Sequence, residues 1–139
     1  MKSKSVLYFC SSCPYFEDDG IKKININLIN EFIANGYELS LVVPHSCDLI
    51  LDFYPDVKVI KYKKERTILG LISNFLLLRP LYFGLYYDKT LLAKIDKESF
   101  ELIFFDFYPL TQYSDSLKNE IFMMPDSMKE LMWSGFINE

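Results

Sequence analysis

The sequence predicts an α/β domain: a three-layer, Rossmann-like arrangement in which helices cover both faces of a mainly parallel sheet of about five strands. Three observations predict it. Short apolar runs recur at residues 5–10, 39–43, 57–60, 102–107 and 121–124, as in strands covered on both faces. A segment of helical period separates the first two runs, and that strand, helix and strand follow one another closely enough to form a right-handed βαβ unit. Further segments of helical character lie between the third, fourth and fifth runs.

Residues 5–10, Ser-Val-Leu-Tyr-Phe-Cys, read as the central strand, which ends in a loop carrying Pro14 and the acidic run Glu17-Asp18-Asp19. Ile21, Ile24, Leu28, Ile29, Phe32 and Ile33 then recur at helical spacing. Asp18 or Asp19 is placed to cap this helix, and Gly36 to take the left-handed position beyond its end. The run at 39–43 is the second strand, and the shorter run at 57–60 the third, expected outside the second with Lys58 and Lys61 in solvent. Residues 67–87 read as an irregular helix and 87–97 as another. The fourth and fifth strands follow at 102–107 and 121–124 with a short helix at 109–118 between them, and residues 128–133 turn helical again.

Composition narrows the function classes. The 139 residues suit one domain, half of them hydrophobic, and the net charge of −4 repels a nucleic-acid backbone, so no nucleic acid is expected as partner. Aromatic residues, 17% of the chain, are enough to fill a core and still line a cleft. The amino terminus shows no small-residue cleavage site, and the longest apolar stretch, at 68–78, is interrupted by Ser73 and Asn74 and stopped by Arg79-Pro80. The expectation is a cytoplasmic chain with no membrane span. Three cysteines without an export signal argue against a disulfide framework, so reduced thiols are expected.

Three segments carry a family resemblance: Val6-Leu7-Tyr8-Phe9 leading to Gly20, the turn Gly36-Tyr37-Glu38-Leu39, and Phe100-Glu101-Leu102-Ile103. Met124-Pro125-Asp126-Ser127 is similar to the turn after the fifth strand in the same sequences. In this order they resemble the amino-terminal domain of GT-B fold glycosyltransferases, in particular the large retaining family numbered four. The resemblance implies that residues 1–139 form the acceptor-side domain of an enzyme that is active only at full length, and that the carboxyl-terminal domain holding the nucleotide sugar is absent from this chain. It implies a nucleotide-sugar donor, a glycan or lipid-linked acceptor, and neither a metal nor any other cofactor. The chain departs from the family at two points: Gly20 stands alone where paired glycines are frequent, and Phe105-Asp106-Phe107 stands where a histidine is frequent.

Ligands of open parallel sheets sit at the carboxyl ends of the strands, which makes Asp19, Gly20, Asp106, Asp126 and Ser127 the candidate substrate-binding residues. Carboxylates are good acceptors for sugar hydroxyls, but Asp19 and Asp126 are equally placed to cap helices, and Asp106 to end a strand. No catalytic residue is named. Cys10-Ser11-Ser12-Cys13 has redox spacing but lies too far before the helix, and Cys10, Cys13, His45 and Cys47 match no ordinary zinc spacing. Lys61, Lys63, Lys64 and Arg66 precede the apolar stretch, an order that suits peripheral contact with the inner face of a membrane or a solvated loop before a core helix. Two rivals remain: another nucleotide-binding Rossmann enzyme domain, although G-x-G-x-x-G and P-loop motifs are missing, and a non-enzymatic flavodoxin-like module.

Overall fold

The computed structural model describes residues 4–64, 68–78, 85–86, 88–115 and 119–123. Five strands, β1 (Ser5–Phe9), β2 (Glu38–Pro44), β3 (Lys58–Tyr62), β4 (Leu102–Phe105) and β5 (Glu120–Phe122), form one sheet in the order β3-β2-β1-β4-β5. Every neighbouring pair is parallel. This is the Rossmann-like order, with β1 in the centre and β3 at an edge, where Lys58 and Lys61 reach solvent. It differs from the 2-1-3-4-5 order of flavodoxin-like folds, so that rival topology is ruled out.

Alternation along each strand sorts the core into two layers. Val6, Tyr8 and Cys10 face one side with Leu39, Leu41, Val43 and Phe104, while Leu7 and Phe9 face the other with Val42, Ile60, Ile103 and Phe105. All five residues Val6 to Cys10 are fully buried. Register then places rings directly opposite each other: Tyr8 stacks on Phe104 at 4.8 Å and Phe9 on Phe105 at 4.6 Å. Such cross-strand aromatic pairs add to the area they bury.

The first layer is covered by α1 (Gly20–Ala34), which buries Ile29 and packs Leu28 and Phe32 against the sheet, and by the short α2 (Ile50–Phe53). Asp19 caps α1 by accepting the Lys22 amide at 2.7 Å. Gly36, at φ 75°, turns the chain from α1 into β2, a left-handed position that side chains strain to adopt. The second layer is covered differently from expectation. The described residues of 87–97 and 109–118 form no α-helix; with their neighbours they make 3₁₀ turns at Leu92–Lys94, Lys97–Ser99 and Tyr108–Tyr113. Leu91, Leu110 and Tyr113 are nonetheless buried there, because single turns suffice to point an occasional apolar side chain at the sheet. Among the described residues of 67–87 the α-helix is α3 (Ile68–Leu76). The helical reading of 128–133 falls outside the described residues.

The expectation of reduced thiols is overturned. Cys13 and Cys47 form a disulfide with a Cα–Cα distance of 5.4 Å across 34 residues of sequence. Parallel pairing of β1 and β2 brings their carboxyl-terminal loops together, and those loops carry the two cysteines. Cys10 remains a free, buried thiol.

Candidate carboxyl-edge site

The strand order reverses between β1 and β4: the chain steps from β1 to β2 to β3 on one side, then returns to place β4 on the other. At such a point the loops leaving the two strands diverge and open a crevice. Here Asp106 fills the seam. It follows Phe105 directly, so alternation turns it toward α1, on the same face as Phe104. Its carboxylate accepts the Ser11 amide at 2.9 Å on both oxygens, the Ser11 hydroxyl at 3.1 Å and the Asn25 side-chain amide at 2.6 Å on Oδ2. Asn25 in turn accepts the Tyr8 hydroxyl at 2.7 Å. One buried carboxylate thus ties the loop after β1, the end of β4 and the inner face of α1.

Asp106 is fully buried. Burial, the largest influence, raises its carboxyl from an ordinary 3.8 to about 7, against the opposing pull of the Ser11 amide, the Asn25 amide, the Ser11 hydroxyl and the Lys64 charge. The Lys64 Nζ donates to the Ser11 carbonyl at 3.0 Å and lies over the Tyr86 ring at 4.8 Å. Burial holds its ammonium below the ordinary value, and Asp106 pulls the other way. Tyr62, the last residue of β3, donates its hydroxyl to the Cys10 carbonyl at 2.8 Å. Burial, and after it the Asp106 charge, pushes the Cys10 thiol well up, the opposite of what a nucleophilic or redox-active cysteine needs.

A second polar knot lies beyond β3. Asp88 accepts the Lys63 amide at 3.0 Å, and the Thr90 amide and hydroxyl at 2.9 and 2.7 Å. Burial pushes its carboxyl upward, but those hydrogen bonds outweigh it and the carboxyl lies below its ordinary value. The Tyr113 hydroxyl links this knot to the second core layer by accepting the Asp88 amide at 2.6 Å.

Of the residues singled out from sequence, Asp19 and Gly20 sit exposed at the start of α1, where Asp19 is engaged as a cap. Asp106 is joined to the same helix, through Asn25. Asp126 and Ser127 lie outside the described residues. Cys10, Cys13, His45 and Cys47, whose spacing already spoke against a zinc site, form none, since Cys13 and Cys47 are bonded to each other. Among the described residues no group of three or more His, Cys, Asp or Glu side chains converges to hold a metal. Sequence reasoning missed Ser11 and Asn25. Asn25 carried a usable signal: it stands three and four residues before Leu28 and Ile29, on the inward face of an otherwise apolar stripe.

Comparison with protein-family models, with curated proteins and with solved structures finds no match. What the chain shows is a Rossmann-like α/β fold, and among its described residues no helix is long and apolar enough to cross a membrane.

Proposed function

We propose that this chain is the acceptor-side, amino-terminal domain of a glycosyltransferase that moves a sugar from a nucleotide-sugar donor to a hydroxyl of a glycan or lipid-linked acceptor. The observation that carries the reading is the reversal of strand order between β1 and β4, joined to sequence segments that resemble the GT-B family at the entries of β2 and β4. Those segments have a structural reason to recur: Gly36 makes the left-handed turn into β2, and Glu101 bonds its amide to the Ser5 carbonyl as β4 begins beside β1. They support the function through the resemblance, and the sheet order supports it through the edge it creates.

In this reading Asp106 is a positioning residue. Its carboxylate is fully buried and already accepts four hydrogen bonds, so it holds the Ser11 loop and α1 in place rather than touching an acceptor. Groups left facing outward along the same edge are Ser12, the acidic run Glu17 to Asp19, and His45. A second domain would hold the nucleotide and bring the anomeric carbon against the acceptor hydroxyl, the positioning on which transfer depends. The test compares nucleotide-sugar turnover by these 139 residues with that of the full-length gene product. Transfer is expected from the latter alone. Comparable turnover by the 139-residue chain would overturn the two-domain reading, and tight nucleotide binding by it would favour a nucleotide-binding Rossmann enzyme of another class.

A further inference from the structure

Helix α3 is built inside out. Its sequence, Ile-Leu-Gly-Leu-Ile-Ser-Asn-Phe-Leu, contains no charged residue. Ile68, Leu69, Ile72, Phe75 and Leu76 fall at i, i+1, i+4, i+7 and i+8, one stripe of roughly 120° at 100° per residue. In a soluble domain that stripe faces the core. Here the five side chains are between 51% and 77% exposed, while Gly70 is buried and Ser73 half-buried. Leu77 and Leu78 extend the exposed apolar surface past the helix end, at 58% and 93%. None of these residues is among the described members of either core layer.

We propose that α3 docks the domain on an anionic lipid surface, lying in the plane of the membrane with Ile68, Leu69, Ile72, Phe75 and Leu76 among the acyl chains. A nine-residue helix is about 14 Å long, too short for a hydrocarbon core of about 30 Å but well suited to lying along its boundary. Charge selects the lipid. Lys63 is exposed, and the chain reaches Ile68 within five residues of it, a span of at most roughly 18 Å. Arg66 and Arg79 flank the apolar stretch in sequence. Cations bordering an uncharged apolar strip complement an anionic headgroup layer. A second copy of the chain fits less well, because a two-fold contact through this strip would set the same cations against each other. This inference stands apart from glycosyl transfer and needs no sugar for its test.

The experiment is flotation of the chain with vesicles of phosphatidylcholine containing about a third phosphatidylglycerol, against vesicles of phosphatidylcholine alone. The wild-type chain is expected to float with the anionic vesicles and to be released as salt is raised. Leu69→Glu with Phe75→Glu should lower the partition coefficient by roughly tenfold or more, and Leu69→Ser with Phe75→Ser should lower it in the same direction. Lys63→Glu should cost about fivefold or more on anionic vesicles and little on neutral ones. All variants should keep the wild-type urea midpoint, since the altered side chains are exposed. The proposal is overturned if the wild-type chain does not float, if the Leu69 and Phe75 variants float as well as wild type, or if those variants only convert a wild-type dimer to a monomer.

Discussion

Helices α1 and α3 carry apolar stripes of the same period, and the fold uses them in opposite ways. In α1 the stripe turns inward: Ile29 is fully buried, Leu28 and Phe32 pack beside it, and even the polar Asn25 is drawn in to meet Asp106 and Tyr8. In α3 the stripe turns outward, with Ile72 and Phe75 51% and 71% exposed. The difference teaches that periodicity defines a face without saying what the face meets. Two βα connections of one sheet thus do different work, α1 closing the core and α3 presenting an apolar surface.

Removing the disulfide tests the α1 side most severely. Cys47→Ser opens a loop of 34 residues, and chain-entropy arithmetic puts the loss of stability at roughly 4 kcal/mol, read by urea unfolding under non-reducing conditions. A loss below about 1 kcal/mol would mean that the two carboxyl-edge loops are held by packing alone. Next in size is a matched pair of truncations. Ile29→Ala should cost about 3 kcal/mol, and Ile72→Ser should change stability by no more than about 0.5 kcal/mol. Equal costs would break the comparison by showing that α3 packs inward.

The last effect is a slope with pH, smaller than the others within any one pH unit but accumulating over about three units. Asp106 has a folded value of about 7 against an ordinary 3.8, so between those limits the folded chain keeps a proton that the unfolded chain has released. Its contribution to stability is therefore full below about pH 4 and is lost as pH rises through about 7, by at most about 1.4 kcal/mol per pH unit. Unfolding midpoints across this range should fall with rising pH, and Asp106→Asn, which keeps an acceptor for the Ser11 amide, should flatten the slope. An unchanged slope in that variant would assign the pH dependence to other groups.

The amino-acid sequence by itself determined the strands, the helix that follows the first of them and its ends. Continuous apolar runs mark β1, β2, β3, β4 and β5, and Asp19 and Gly36 punctuate α1, because buried parallel strands and helix termini impose requirements that neighbouring residues meet. Tertiary structure alone decided the rest. The Cys13–Cys47 bond was not legible in spacing: the βαβ unit read from sequence sets the loops after β1 and β2 side by side, but which cysteines meet was decided by how those loops pack, with Cys10 turned into the core. The burial of Asp106 depended on which strand lies next to β1 and on Asn25 arriving from α1, 81 residues away in sequence. The 3₁₀ turns that replace two expected helices arose because the second core layer needed only a few inward side chains, a demand that helical periodicity does not register. The outward face of α3 was decided the same way: a stripe reads identically in sequence whether it meets a sheet or the solvent, and only the packed chain chooses.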